Sequence, residues 1–148
     1  MKTFVVDASV AAKWLLPWAG ETLIPEAEAL FEFYSREQIQ LLAPDLFWAE
    51  IGNVAWKAAI RGRISARDAE RAVEKSLQFG FPSIPTLSLA PAAMSIALNH
   101  KRSVYDSIYV AAAVTASAEL VTADEKLVNA LGARFPVRWL GALRNLFV

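Results

Sequence analysis

Cysteine is absent from the 148 residues, and His100 is the single histidine. Without thiols the chain cannot form disulfides, use a cysteine nucleophile or bind zinc through sulfur. A lone histidine also argues against a histidine-rich metal site or a Ser-His-Asp triad. Carboxylates, hydroxyls and a few amides are therefore the groups left for chemistry.

An excess of charge of either sign is also missing, because 15 basic residues balance 15 acidic ones. A net charge of zero argues against an arm or patch that binds nucleic acid by bulk charge alone. Any polyanion must then be held by local clusters of residues or through a metal ion.

Long apolar runs are lacking as well. The longest one, residues 108–114, is far shorter than the roughly 20 residues that span a bilayer. Asp7 interrupts any signal-peptide core near the N-terminus. We therefore expect a soluble, cytoplasmic protein that does not act at a membrane.

Short apolar runs alternate with longer helical segments along the chain. The predicted strands cover residues 3–6, 40–43, 86–89, 120–122 and 137–140. The predicted helices cover residues 8–16, 25–34, 45–61, 66–80, 91–99 and 104–117, with a short helix ending at residue 131. Strands that are apolar throughout are typical of a parallel sheet covered on both faces. We expect one α/β domain over residues 1–148, with three layers (α/β/α) and a short, mainly parallel central sheet.

Four acidic residues lie in apolar surroundings, unlike the other acids, which occupy ordinary helix-surface positions. Asp7 and Asp124 directly follow predicted strands, Asp106 begins a helix, and Glu50 lies about a turn and a half into one. Ligands of parallel sheets bind beyond the carboxyl ends of the strands. The pattern predicts that these four carboxylates converge on that edge.

Helix capping is the simpler interpretation of three of these acids. Asp7, Asp106 and Asp124 all lie near helix starts, where the helix dipole favours negative charge. Glu50 does not fit this interpretation, since it lies inside an apolar helix and shares one face with Asn53 and Lys57. A carboxylate at such a position needs a partner, because burying it unpaired is costly.

Four converging carboxylates would repel one another and raise each other's pKa values. A divalent cation such as Mg²⁺ relieves this repulsion, prefers oxygen ligands and is often bound together with substrate phosphates. Water attack on a phosphodiester then becomes feasible. Ser9, Asn53 and Thr122 supply hydroxyl and amide groups beside the acids, suited to orienting them or contacting a phosphate; the hydroxyls equally fit plain capping roles. His100, with Lys101 and Arg102, is interpreted as charge at a helix end and not as part of the site.

The acids occur in ordered motifs: Asp7-x-Ser9, Pro44-Asp45-Leu46-x-x-x-Glu50-x-x-Asn53, Tyr105-Asp106-x-x-Tyr109-x-Ala111 and Thr122-Ala123-Asp124. In this order they resemble PIN-domain ribonucleases, above all the VapC-type toxins of toxin–antitoxin pairs. The resemblance implies Mg²⁺- or Mn²⁺-dependent endonuclease activity on RNA, with the four acids as metal-binding and catalytic residues. It also implies a PIN-like fold, a homodimer and inhibition by a small antitoxin protein.

Other functions remain compatible with the sequence. The same site could process RNA or cut structured DNA without being a toxin. A phosphotransfer enzyme is disfavoured, because Ser9 stands where an aspartyl-phosphate phosphatase needs a second aspartate. A catalytically silent binding module is the alternative from another class.

Aromatic residues are concentrated in the first two predicted helices and the loop between them, residues 17–25. Phe31 and Phe33 lie about 200° apart on a helix, so that one core surface cannot readily cover both. We therefore expect a hydrophobic groove or dimer face here, formed with Trp14, Trp18 and Tyr34 and able to receive an amphipathic helix.

Overall fold

A computed structural model describes residues 1–145. Within them, five parallel strands form one sheet in the order β3-β2-β1-β4-β5. The strands are β1 (Lys2–Val6), β2 (Ile39–Pro44), β3 (Ser83–Ile84), β4 (Glu119–Thr122) and β5 (Val137–Trp139). Strands β2 and β3 lie on one side of β1, and β4 and β5 lie on the other. The carboxyl ends of β1 and β4 therefore flank the point where the strand order reverses, which is where parallel sheets bind ligands.

Seven α-helices and a terminal 3₁₀ helix surround this sheet within residues 1–145. The α-helices are α1 (Ala8–Leu15), α2 (Ile24–Ser35), α3 (Leu46–Ile60), α4 (Ala66–Ser76), α5 (Thr86–His100), α6 (Val104–Thr115) and α7 (Glu125–Leu131), and the 3₁₀ helix is Leu140–Asn145. None of these helices is long and apolar enough to cross a membrane.

The central strand β1 shows that both faces of the sheet are covered. Phe4, Val5 and Val6 are completely buried, although neighbouring residues of a strand point to opposite faces. Helix α6 contacts β1, β2 and β4, while α1 contacts β4 and α2 contacts β2. The predicted α/β architecture with a parallel central sheet is thus confirmed.

Several helix ends follow their sequence signals. Ser65 and Asp68 form a reciprocal capping box at the start of α4. Gly62 follows α3 with a φ of +70° and donates its N–H to the carbonyl of Ala59 at 3.0 Å. Only glycine adopts this left-handed conformation without steric cost, which explains why α3 ends there.

The strand predicted at residues 86–89 is wrong, since these residues form the first turn of α5. The short strand β3 lies just before them, and Pro91 lies inside the helix instead of starting it. The Asp45 carboxylate accepts the Thr86 N–H at 2.8 Å and the Thr86 hydroxyl, which fixes the start of α5 against the end of β2. Burial then follows helical spacing, at Leu89, Ala93, Ile96 and Ala97.

Helix α2 is covered on two sides, by α1 and by the 3₁₀ helix, so Phe31 and Phe33 do not depend on one core surface. The Phe31 ring packs against the rings of Trp14 and Phe79, with centroids 5.1 and 5.8 Å away. Phe33 lines a different cavity together with Leu143 of the 3₁₀ helix. A shallow cavity remains next to Trp14 and Phe31, and its role as a groove or dimer face stays a prediction.

The start of α5 at Thr86 predicts that Leu87 and Leu89 contribute very differently to the free energy of unfolding. Leu89→Ala should lower the free energy of unfolding by about 2–5 kcal/mol, because Leu89 is 2% exposed. Leu87→Ala should change it by less than about 0.5 kcal/mol, since Leu87 is 86% exposed. Urea unfolding of both variants checks this. A strand would place both leucines on one face, so equal losses would contradict the helix.

Candidate active site

The site is built around Asp7, which follows the last residue of β1. Asp7 occupies the N-cap position of α1, but its side chain makes no capping hydrogen bond. One carboxylate oxygen, Oδ2, instead accepts the hydroxyls of Ser9 at 2.9 Å and Thr122 at 2.6 Å. Thr122 is the last residue of β4, so these bonds join the ends of two neighbouring strands.

Backbone groups orient the two hydroxyls toward Asp7. The Ala123 N–H donates to Ser9 Oγ at 3.0 Å, and the Asp124 N–H donates to Thr122 Oγ1 at 3.0 Å. Each hydroxyl oxygen therefore accepts one hydrogen bond from a backbone N–H of the turn after β4 and donates its own hydrogen bond to Asp7. The sequence placed Ser9 and Thr122 beside the acids, and the structure brings both into contact with Asp7.

Burial and the charge of Asp106 disfavour the ionised form of the Asp7 carboxyl. Burial raises the pKa of Asp7, and the charge of Asp106 raises it further, while the hydrogen bonds from Thr122 and Ser9 oppose the rise. The hydroxyls fix the position of the carboxylate but carry no positive charge. They leave Asp7 in need of a cation.

Glu50 approaches from α3 and is held by Tyr109 of α6. The Tyr109 hydroxyl donates to Glu50 Oε2 at 3.1 Å, and Tyr109 is 2% exposed. Burial, then the charge of Asp7, raises the pKa of Glu50 to about 7, although the hydrogen bond from Tyr109 acts against this rise. Burial and the charges of Asp7 and Glu50 likewise raise the pKa of Tyr109, which keeps it a hydrogen-bond donor.

Arg102 connects the remaining two acids. Its terminal nitrogen lies 3.0 Å from Oδ2 of Asp106 and 4.0 Å from Oδ2 of Asp124. Asp106 lies in the first turn of α6, where its backbone N–H donates to the N-cap hydroxyl of Ser103 at 3.1 Å. Asp106 and Asp124 thus already have a counter-ion, in contrast to Asp7 and Glu50.

Capping accounts for only part of the acidic cluster. Asp124 is the N-cap of α7, and its Oδ1 accepts the N–H groups of Lys126 and Leu127 at 3.0 and 3.4 Å. Its other oxygen, Oδ2, lies 4.0 Å from the terminal nitrogen of Arg102. The Asp7 side chain does not cap, and Glu50 lies within a helix, so neither is explained by capping.

The donor chemistry fits a hard divalent cation. The candidate ligands are carboxylate oxygens, and Asp7 and Glu50, whose pKa values burial raises, form no ion pair within residues 1–145. Residues 1–145 contain no group of three or more acids or histidines already close enough to hold a metal ion. Mg²⁺ requires only one or two carboxylates, with water and substrate phosphate completing its coordination.

Arg102 and Tyr109 are site residues to which the sequence analysis gave no role in the site. Arg102 stands four residues before Asp106 but precedes the N-cap of α6, so helical spacing gave no signal for this pair. The contact between Tyr109 and Glu50 spans 59 residues and had no local signal. Asn53 is exposed on α3, three residues after Glu50, and its role stays a prediction.

Comparison with known proteins places this geometry in a family. The sequence model of the PIN domain matches residues 4–131, which include all four acids. The chain belongs to the PIN domain family. The protein is 34% identical over 128 residues to Ribonuclease VapC3 of Pyrobaculum aerophilum, a match that covers 84% of this chain and 92% of that protein.

Solved structures share the PIN fold seen here. A crystal structure of a Pyrobaculum aerophilum protein has a TM-score of 0.68 and 25% identity, and the match covers 99% of this chain and 89% of that one. A toxin–antitoxin complex from Klebsiella pneumoniae has a TM-score of 0.59 and 18% identity, covering 90% of this chain and 94% of that one. At that identity the second likeness concerns the fold alone.

The raised pKa of Glu50 predicts an unusual pH dependence of stability. Between about pH 4.5, its ordinary value, and pH 7 the folded protein binds more protons at Glu50 than the unfolded chain does. Protonation of Glu50 therefore stabilises the folded protein. This stabilisation is complete below pH 4.5 and is lost as the pH rises to about 7. Glu50→Gln should stabilise the metal-free protein at pH 8, by an amount of the order of 1 kcal/mol given its partial exposure, and much less at pH 5.

Urea unfolding in EDTA at pH 5 and pH 8 measures this difference. Glu70→Gln, which removes an exposed acid from α4, serves as the control and should have little effect at either pH. If Glu50→Gln were destabilising at pH 8, the repulsion between Glu50 and Asp7 would not be as described.

Proposed function

We propose that this PIN protein is a metal-dependent endoribonuclease and the toxin of a type II toxin–antitoxin pair. The group of carboxylates at the switch point of the sheet supports the proposal, because hydroxyl groups hold Asp7 and Glu50 and neither acid forms an ion pair within residues 1–145. The similarity to Ribonuclease VapC3 supports RNA as the substrate.

Asp7, Glu50, Asp106 and Asp124 would hold a Mg²⁺ or Mn²⁺ ion. When bound, such an ion polarises the phosphoryl oxygen, lowers the pKa of a water molecule and stabilises the leaving oxygen. In this hydrolysis the water oxygen would bond to phosphorus as the bond to the leaving oxygen breaks, and a proton from the water would end on the leaving oxygen.

The chain's own groups contribute positioning and proton transfer. Ser9 and Thr122 fix Oδ2 of Asp7 from two directions, and a fixed ligand costs no reorganisation during the reaction. The pKa of Glu50, about 7, lies close to neutral pH. In the metal-free protein Glu50 can therefore exchange a proton near neutral pH, and a bound cation would favour its ionised form, which could hold the ion.

The partners of the protein form a separate part of the proposal. We expect a small cognate antitoxin, a homodimer and action in the cytoplasm. Trp18, Trp56 and Ile60 are each more than half exposed, and large apolar groups at a surface suit contact with protein partners. The occurrence of the same fold in a toxin–antitoxin complex is compatible with such a partner.

Asp7→Asn should reduce metal-dependent cleavage of a mixed RNA pool by several orders of magnitude and leave the fold intact. The amide keeps the shape of Asp7 but loses the negative charge that would hold the ion. Cleavage is measured with Mg²⁺, with Mn²⁺ and with EDTA. Asp45→Asn is the matched control, because Asp45 directly follows β2 but contacts Thr86 and not the site.

Each outcome of this experiment selects one function. Cleavage that disappears in Asp7→Asn and persists in Asp45→Asn supports the nuclease, and growth arrest on expression of the unmodified protein alone identifies it as a toxin. A nuclease without growth arrest would be an RNA-processing enzyme. Equal cutting by all proteins would indicate contamination. Absence of both cleavage and growth arrest would favour a catalytically silent module.

A further inference from the structure

Arg102 provides the positive charge closest to the acidic cluster. It is the basic residue within ion-pair distance of the four acids among residues 1–145, and the pairs formed by other Lys and Arg residues involve other acids. Its guanidinium lies nearer to Asp106 than to Asp124. The side chain therefore occupies space between two carboxylates that the proposed function assigns to a metal ion.

Only some of the hydrogen-bond donors of Arg102 have a partner within residues 1–145. Its Nε is buried and has no hydrogen-bond partner among residues 1–145, and an unpaired buried donor raises the free energy of the state that contains it. About a quarter of the side chain remains exposed. A rotation of this partly exposed side chain toward solvent would hydrate Nε and free Asp106.

We propose that Arg102 and a divalent metal ion are alternative counter-ions for Asp106 and Asp124, so that the metal ion must displace Arg102 to bind. This inference rests on the proposed function, because it takes the four acids to be the metal site. Arg102 acts on metal occupancy through the two aspartates and is a positioning residue. In the metal-free protein it limits the repulsion between α6 and α7 at the carboxyl edge of the sheet.

Competition of this kind sets the size of the expected effect. The apparent dissociation constant of the metal equals the intrinsic one divided by the fraction of molecules with Arg102 displaced. If the displaced state holds about one molecule in ten, the upper end of the usual range for minor conformations, removing the side chain tightens metal binding about tenfold. The same removal leaves Asp106 without a partner when no metal is present, and the metal-free protein becomes less stable.

The test is a titration of the metal-free protein with Mn²⁺, followed by calorimetry or by the electron paramagnetic resonance signal of free Mn²⁺. Arg102→Met should bind Mn²⁺ about tenfold more tightly than the unmodified protein. Its melting temperature should be lower in EDTA and should rise more on addition of Mn²⁺.

Two control variants separate direct competition from simpler effects. Lys101→Met removes the same charge from the neighbouring exposed position and measures the long-range effect of charge alone. Arg138→Met removes a different partly buried pair, in which Arg138 lies 2.6 Å from Glu119, and measures the effect of lost stability. Both controls should change the dissociation constant for Mn²⁺ by less than about twofold, since neither residue contacts the four acids.

The possible results distinguish this inference from the proposed function. If Arg102→Met matched Lys101→Met or bound Mn²⁺ more weakly than the unmodified protein, the competition would be refuted. RNA cleavage and Mn²⁺ binding that both depend on Asp7 would still uphold the proposed function in that case. If the unmodified protein bound no Mn²⁺ in an Asp7-dependent way and cut no RNA, both would be overturned.

Discussion

Repulsion among carboxylates at the carboxyl edge of the sheet is the constraint to which the surrounding structure responds. Parallel strands β1 and β4 end side by side, and the chain places Asp7 and Asp124 directly after them. Helices α3 and α6 add Glu50 and Asp106 to the same region. Burial, together with the charges of neighbouring carboxylates, raises the pKa values of Asp7 and Glu50. Such a cluster persists only if neighbouring groups hold it in place.

Two different kinds of group do so. Asp7 and Glu50 receive neutral hydroxyl donors from Ser9, Thr122 and Tyr109, which fix the oxygens but leave the negative charge uncompensated. Asp106 and Asp124 share the guanidinium of Arg102, which compensates charge directly. The half of the site with neutral donors therefore lacks a counter-ion, and the half with Arg102 has the one that we propose a metal ion displaces. This division connects the folding of the site to its proposed chemistry.

The sequence predicted the elements that depend on residues close together in the chain, and it missed contacts between residues far apart. Apolar runs ending in a polar residue identified β1 and β4, and the convergence of Asp7 with Thr122 followed from the parallel sheet. Residues 86–89 were misread because their alternating pattern resembles a strand, whereas the contact of Thr86 with Asp45, 41 residues earlier, fixes a helix start. The covering of α2 from two sides also depends on distant residues. Tyr109 could not be assigned to Glu50 for the same reason, and Arg102, which precedes α6, had no helical spacing to connect it with Asp106.

If these carboxylates form a metal centre, binding of a divalent cation must displace the protons that the carboxyl groups carry in the metal-free protein. Calorimetric titration with Mn²⁺ in two buffers of different ionisation enthalpy measures the protons released per ion bound. With the pKa of Glu50 at about 7, binding should release about one proton at pH 6 and far fewer at pH 8, and Glu50→Gln should abolish most of the release at pH 6. Binding that releases no protons at pH 6, or the same number with and without Glu50, would contradict the account.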